Sequence, residues 1–173
     1  MTTWTEIDRL TAPTAGVFDF PSLTLTGYEV IQIVVSGVTV TTDGTDVKLT
    51  FYVGGSEIVT GYRWGQQAVA STTGNTEDGD TSDPSILLNS NNATQDTGNA
   101  AGEGFACMIT VDAPLSTALY KKAEYETVNS RTDSETEVQL GIGLMENAGA
   151  IGGLKISGSS SLTAGHVRIL GLA

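Results

Sequence analysis

The sequence predicts an all-β chain, a single antiparallel β-sandwich of jelly-roll-like type with about nine to eleven short strands. Three observations predict this fold class. Residues that favour strands and tight turns are abundant, with 25 Thr, 14 Ser and 21 Gly. Apolar and polar residues alternate over many short runs. Clusters of turn residues separate these runs at the spacing typical of a sandwich.

Residues 1–173 are predicted to form one domain. A domain of this length buries roughly 68–70% of the surface that its unfolded chain exposes, so it can fold on its core without disulfides. Cys107 is the only cysteine, which excludes an internal disulfide. Its apolar neighbours predict a small core residue rather than a nucleophile.

The net charge of −12 limits the classes of partner. An acidic surface repels phosphate backbones and anionic lipids, so we expect neither nucleic acid nor membranes as partners. The first residues lack the basic and apolar regions of a secretion signal, and no run approaches the ~20 apolar residues of a membrane span. We therefore expect a soluble product of the cytoplasm.

The N-terminal residues 1–16 are predicted to be an arm or a first strand. Threonines around Trp4 favour an extended chain, although the apolar spacing would also allow one helical turn. Residues 17–20 form the next short strand. It ends at Pro21, because proline cannot donate a ladder hydrogen bond.

Residues 28–40 are predicted to be the central strand of the domain. β-Branched residues dominate this run, and only Gln32 interrupts the apolar residues of its second face. Such a strand should be buried on both sides, within a sheet that packs on a second layer.

Two tight turns are predicted after the central strand. Asp43-Gly44 is the preferred sequence of a type I′ turn, and it lies between the alternating residues 38–41 and 47–53. Gly54-Gly55 offers a second turn into residues 57–64. Two consecutive hairpins would make a meander.

Residues 71–103 are predicted to be a long acidic loop. The segment holds six carboxylates and neither Lys nor Arg. The apolar residues 86–88 should attach its middle to the core as a short strand. A loop of this length in a compact domain is usually functional or mobile, and this one should face solvent or a basic partner.

The C-terminal half returns to alternation. Residues 105–111 and 119–128 are predicted strands, the latter with a charged outer side. Residues 138–145 are predicted to be a half-buried strand, in which Val138, Leu140, Ile142 and Leu144 alternate with Gln139, Gly141, Gly143 and Met145. Its glycines would admit a close neighbour. The last strands are predicted around residues 151–156 and 166–172.

The order of core and turn residues resembles that of the small β-sandwich virion proteins of tailed bacteriophages. The resemblance covers both ends of the chain and most of its core. Its residues are Trp4-x-x-Ile7-Asp8, Phe18-Asp-Phe20, Leu25-x-x-Tyr28, Ile31-x-Ile33, Leu49-x-Phe51, Gly61-Tyr62, Lys155-Ile-Ser157 and Gly165-x-Val-x-Ile-Leu-Gly171. The acidic segment 71–103 lies outside the pattern.

The resemblance implies a structural role in the virion, as a head-decoration, head-fibre or tail component made in the host cytoplasm. It implies a homo-oligomer, with a homotrimer favoured, that is docked on capsid or tail subunits. It supplies no catalytic residue. The expectation of an oligomer has its own support. Both faces of residues 28–35 are apolar and Trp4 lies outside the alternating strands, so a single sandwich would leave apolar surface that requires cover.

No catalytic, cofactor-binding or metal-binding constellation is predicted, and the chain is not expected to be an enzyme. His166 is the only histidine and reads as a packed or surface residue of the last strand. Residues 75–83 carry enough oxygen ligands for calcium but lack the spacing of a calcium loop, so a solvated acidic loop is the prediction. A glycoside hydrolase would be supported only by the number of carboxylates.

The alternative function is a tail-associated module that binds a receptor or a carbohydrate. Tyr62 and Trp64 beside Gln66 and Gln67 could form a platform on which a sugar ring stacks, since apolar rings beside amides suit carbohydrate faces. The same residues could instead pack in a sheet or at a subunit interface. A possible partner in this reading is a glycan on the host surface, and Trp4 is a further candidate contact.

Overall fold

A computed structural model describes residues 3–71, 74–89, 96–132 and 135–173. In these ranges the chain forms thirteen β-strands and no helix, which confirms the all-β prediction. Every strand pair is antiparallel. The number of strands exceeds the predicted nine to eleven, because short and strongly polar strands carry little alternation signal.

The larger sheet has eight strands. In spatial order they are β1 (Thr5–Leu10), β13 (Leu162–Leu172), β3 (Val30–Val40), β9 (Phe105–Asp112), β10 (Lys121–Ser130), β11 (Thr136–Met145), β6 (Tyr62–Ala70) and β7 (Gly74–Asp83). The smaller sheet contains β2 (Phe18–Phe20), β12 (Ile151–Gly158), β4 (Val47–Val53) and β5 (Ser56–Glu57), and β8 (Ile86–Leu87) pairs with β4.

The two sheets enclose one continuous apolar cluster, which makes the fold sandwich-like. Ile33 on β3 lies directly opposite Ile109 and Ile169 on the neighbouring strands, and all three side chains are fully buried. Phe51 and Ile156 contribute from the smaller sheet and are also fully buried. Each such side chain stabilises the fold by about 1.5–3 kcal/mol.

The predicted central strand is confirmed as an interior strand but is covered on one side only. β3 lies between β13 and β9. Ile31, Ile33 and Val35 on its inner face are buried, whereas Val30 and Val34 on its outer face are half-buried. The prediction of burial on both sides is wrong, because the smaller sheet covers only the inner face of the larger one.

The hairpin predicted at Asp43-Gly44 is wrong. β3 belongs to the larger sheet and β4 to the smaller one, so these residues connect two sheets. Gly44 has the positive φ of 71° that a tight turn requires. Asp43 does not have a positive φ, so no type I′ turn forms. Both edges of β3 are occupied by β9 and β13, which leaves no edge for β4.

The turn at Gly54-Gly55 is confirmed. Both glycines have positive φ, 60° and 81°, and the turn joins β4 to β5 in a short hairpin with Val53 opposite Ser56. The predicted meander is wrong, because the chain crosses to the larger sheet after residue 57 and begins β6 at Tyr62.

The long acidic loop is not confirmed, because about half of its described residues lie in strands. Residues 74–83 form edge strand β7, which pairs with β6, and residues 86–87 form β8. β7 contains no apolar side chain, so alternation could not predict it. Gly79 is required there, since a Cβ would lie 2.8 Å from the carbonyl oxygen of Trp64. Residues 72–73 and 90–95 lie outside the described ranges.

The first sixteen residues contain a strand, as one of the two predictions for this segment had it. β1 pairs with β13 and forms one edge of the larger sheet. Trp4 precedes it and is 42% exposed. This edge carries Glu6 and Arg9, which form a surface ion pair. Charged residues on an edge discourage pairing with a strand of another molecule.

Candidate functional site

The stacking platform predicted from Tyr62, Trp64 and Gln66 is wrong. All three side chains are buried, at 0%, 5% and 7% exposure. They share the inner face of β6, because strand residues two apart point to the same side of a sheet. The outer face of β6 carries Gln67 instead, which is exposed.

Hydrogen bonds hold these three polar side chains inside the core. The Tyr62 hydroxyl donates to the carbonyl oxygen of Ile58 at 3.1 Å and accepts the backbone N–H of Phe51 at 2.9 Å. The Trp64 ring N–H donates to Asp83 at 3.1 Å, and the amide of Gln66 donates to the carbonyl of Asn89 at 2.7 Å. Their role is structural, since a buried polar group without a partner is costly.

The other residues considered for chemistry are scattered. His166 is exposed on β13, and Trp4 is exposed before β1. Cys107 is buried on β9, which confirms it as a core residue, and burial raises the pKa of its thiol to about 12. Within the described ranges, no three His, Cys, Asp or Glu side chains lie together as a metal site. No helix of the described chain could cross a membrane.

The unexpected feature of the larger sheet is the orientation of β11. Most of its apolar side chains face outward: Leu140 is 60% exposed and Ile142 is 65% exposed, whereas Met145 at its end is buried. Its polar residues face the core, where Glu137 and Gln139 are fully buried. An alternating strand on a sheet normally buries its apolar side, so β11 is inverted with respect to the usual pattern.

A buried polar cluster fixes this orientation at one end of β11. The Arg131 guanidinium contacts Glu137 at 3.4 Å and Glu135 at 3.0 Å, with Arg131 itself only 2% exposed. Gln139 donates its side-chain amide to Glu137. A one-residue slip would bring the apolar residues inward but expose this cluster and break its contacts.

Glycines fix the orientation at the other end. A Cβ on Gly141 would lie 2.1 Å from the ring of Tyr125, and one on Gly143 would lie 2.5 Å from Ile86. The prediction that these glycines admit a close neighbour is confirmed. At these two positions the core is filled by Tyr125 and Ile86 and not by side chains of β11.

The outward residues of β11 belong to a larger apolar surface. Of the eleven large apolar side chains exposed in the described part of the chain, six lie on the outer faces of β6, β9, β10 and β11. These six are Val69, Met108, Val128, Val138, Leu140 and Ile142. We call them the outer apolar patch. Val69, Val138 and Val128 lie side by side on three adjacent strands, so the patch is contiguous and not a scatter of single residues.

Two adjoining hollows lie beside this patch, with volumes of about 720 and 550 Å³. They meet at Gly65, Glu124 and Ile142, and together we call them the outer groove. Gly65 is the cross-strand partner of Ile142, and the nearest atom to a Cβ built on it is 3.9 Å away. The groove exists because β6 offers no side chain opposite Ile142.

The rim of the outer groove is acidic. Glu124 and Glu126 on β10 are the cross-strand partners of Ile142 and Leu140. Glu77 on β7 faces the groove from the other side. All three are exposed, and in the described chain none of them lies within salt-bridge distance of a basic side chain. The site therefore combines an apolar floor with uncompensated negative charge.

Only part of this site can be predicted from the sequence. The apolar residues of β11 and the carboxylates of β10 were both visible as alternating patterns. What was missing is the direction in which the apolar side of β11 points. The pairing of Gln139 with Gly141 and Gly143 on one face was the available signal, since small and polar residues on one side leave room for neighbouring side chains.

Besides Glu137, the carboxyl group of Asp96 is also buried in the core. Asp96 is 3% exposed, and its Oδ1 has no hydrogen-bond partner in the described structure. Burial raises the pKa of Asp96 from 3.8 to about 7, and the negative charge of Asp46 acts in the same direction. The carboxyl group therefore keeps its proton to a much higher pH than an exposed aspartate does.

We expect Asp96→Asn to stabilise the protein by about 1–3 kcal/mol at about pH 8. Between its unfolded and folded pKa values the folded state holds the extra proton, so Asp96 favours folding less and less as pH rises from 4 to 7. Urea unfolding of both proteins at several pH values tests this. The advantage of the variant should shrink to near zero toward pH 4, and a difference independent of pH would contradict the assignment.

No protein-family model, curated protein or solved structure matches this chain.

Proposed function

We propose that this chain is a non-enzymatic structural protein that docks on a larger assembly through the outer face of its eight-stranded sheet. The observation that carries the proposal is the inverted strand β11, which holds Leu140 and Ile142 out of the core at 60% and 65% exposure. Large contiguous apolar surface on a soluble protein usually marks an interaction site.

Stability alone does not explain an outward apolar strand. Exposed leucine and isoleucine gain little in the isolated chain, whereas burying one fully against a partner contributes about 1.5–3 kcal/mol. The buried Arg131 and Glu137 on the opposite side hold the apolar side outward. The buried polar residues thus keep an apolar surface exposed, and this surface stabilises the protein only when a partner covers it.

The assembly that we propose is the virion of a tailed bacteriophage, in which the chain serves as a head-decoration, head-fibre or tail component. The support for this finer assignment is the resemblance of the core and turn residues, from Trp4 to Gly171. The carbohydrate-binding alternative has no comparable support, because Tyr62 and Trp64 are buried.

Attachment to particles tests the docking face. Purified Leu140→Gln protein and a matched control, Leu119→Gln, would each be mixed with virions that lack the chain. Both leucines are 60% exposed, but Leu119 lies in the loop between β9 and β10. We expect wild type and the Leu119 variant to sediment with the particles and the Leu140 variant to stay in solution. Equal attachment of both variants would contradict the docking face, and absence of the chain from native virions would contradict the virion role.

Self-assembly of the chain is a separate prediction. We expect a homo-oligomer, with three copies favoured by the resemblance, and the exposed Trp4 as one contact. Light scattering at micromolar concentration tests it. A stable monomer of 18.0 kDa would rule out self-assembly in solution and leave only assembly on the particle.

A further inference from the structure

We propose that the outer groove binds a segment of a different protein that inserts an apolar side chain beside Ile142 and places Lys or Arg against the acidic rim. The inference deepens the proposed function and rests on it, because it names the partner chemistry of the same docking face. Its three supports are the shape, the charge and the arrangement of the groove.

The shape of the outer groove leaves room for a side chain of a partner molecule. Gly65 leaves open space next to Ile142, and no atom lies within 3.9 Å of a Cβ built on Gly65. The two hollows, of about 720 and 550 Å³, meet at this position. The apolar Leu140 and Leu144 lie on either side of Ile142 along the same strand face. An aliphatic side chain that enters above Gly65 would therefore touch the apolar side chains of β11 and the backbone of β6.

The charge selects the kind of segment. Three carboxylates and two basic side chains lie on the outer face at the groove; they are Glu77, Glu124 and Glu126 against Arg63 and Lys122. Arg63 is already paired with Glu146 at 2.7 Å. The groove is therefore negative in balance, and a partner with basic residues next to its apolar ones complements it.

A second copy of this face is a poor occupant. Face-to-face association would bring the acidic rims of two molecules, each with Glu77, Glu124 and Glu126, into one interface. The chain as a whole carries a net charge of −12, which adds repulsion at the same approach. Screening acts over about 8 Å at physiological salt, so carboxylates forced into one interface repel each other strongly.

The arrangement of the strands places acidic side chains next to apolar ones across the groove. On adjacent strands Glu126 lies beside Leu140, Leu140 lies beside Gln67, and Gln67 lies beside Glu77. Neighbouring strands are about 4.8 Å apart. Carboxylates therefore lie on both sides of the apolar face of β11, within reach of one extended or helical segment. Apolar contact then supplies affinity, and the carboxylates select basic over acidic partners.

Short synthetic peptides test the inference. The probe is a labelled peptide in which Leu and Lys alternate, and its two controls replace every Leu by Ser or every Lys by Glu. Fluorescence anisotropy with wild-type protein should show saturable binding of the Leu-Lys peptide, weakened by salt. Each control peptide should bind at least about tenfold more weakly.

Variants assign the binding to the groove. Gly65→Leu fills the hollow without displacing a neighbour, and Leu140→Gln removes apolar contact. Each should weaken binding of the Leu-Lys peptide by about tenfold or more, whereas Leu119→Gln should leave it unchanged. Melting temperatures equal to wild type would show that the variants are folded.

Four results would overturn the inference. They are no binding of the Leu-Lys peptide, equal binding of the Ser-Lys peptide, undiminished binding by Gly65→Leu, or a concentration-dependent dimer of the protein that Leu140→Gln abolishes. The last result would make a second copy the occupant. Because attachment to particles is measured separately, failure with peptides while Leu140→Gln still blocks attachment would reject the basic partner and retain the docking face.

Discussion

Replacing Arg131 by Met should destabilise the fold by about 3–5 kcal/mol, the largest effect that we expect from a single polar substitution in this chain. Arg131 and Glu137 are almost fully buried, and the guanidinium lies 3.4 Å from the carboxylate. The variant would leave the Glu137 carboxylate in the core without its cationic partner. Urea unfolding at neutral pH measures the loss of unfolding free energy.

Arg63→Met is the matched control. Arg63 pairs with Glu146 at 2.7 Å, which is a shorter contact, but both side chains are largely solvated. We expect a loss of less than about 1 kcal/mol, because water screens an exposed pair. Combining Arg131→Met with Glu137→Gln should recover much of the loss. Equal costs for the two single variants would show that burial of the pair is not what matters.

Gly141→Val should destabilise the fold by about 2–5 kcal/mol. A Cβ at this position would lie 2.1 Å from the Tyr125 ring. The ring cannot move freely, because its hydroxyl donates to the carbonyl oxygen of Leu87 at 2.8 Å. The substitution therefore forces either a clash or the loss of that hydrogen bond. Thermal and urea unfolding would measure the effect.

Gly65→Val on the adjacent strand provides the comparison. Both glycines lie in the interior of the larger sheet, and neither has a positive φ. The space above Gly65 is open, so we expect a change within about 0.5 kcal/mol. If the two variants were equally destabilised, the loss would come from the change of residue type in a strand and not from the close approach of Tyr125.

Much of the fold class could be predicted from the sequence because alternation is a local signal. β9 and β10 show it clearly: every second residue from Phe105 to Val111 is buried, and the charged side of residues 122–126 faces solvent. The turn at Gly54-Gly55 is equally local, since two adjacent glycines accept positive φ without strain. These features depend on residues close together in the chain.

Strand partners could not be predicted in the same way. Asp43-Gly44 has suitable turn residues and alternating flanks, yet β3 and β4 belong to different sheets. β7 pairs with β6 although it has no apolar side chain at all. Pairing depends on which edges are already occupied, and that is a property of the whole sheet.

The sequence by itself determined that this protein is built of antiparallel strands, that it carries a strong negative charge, and that residues 138–144 present an apolar side. Only the tertiary structure decided where that side points. Period-two alternation is identical for a strand and for the same strand turned over. Two contacts fix the orientation of β11: Arg131 holds Glu137 inside the core, and Tyr125 fills the space over Gly141. Neither residue belongs to the apolar pattern of β11 itself, so the candidate docking face can be recognised only in the assembled sheet.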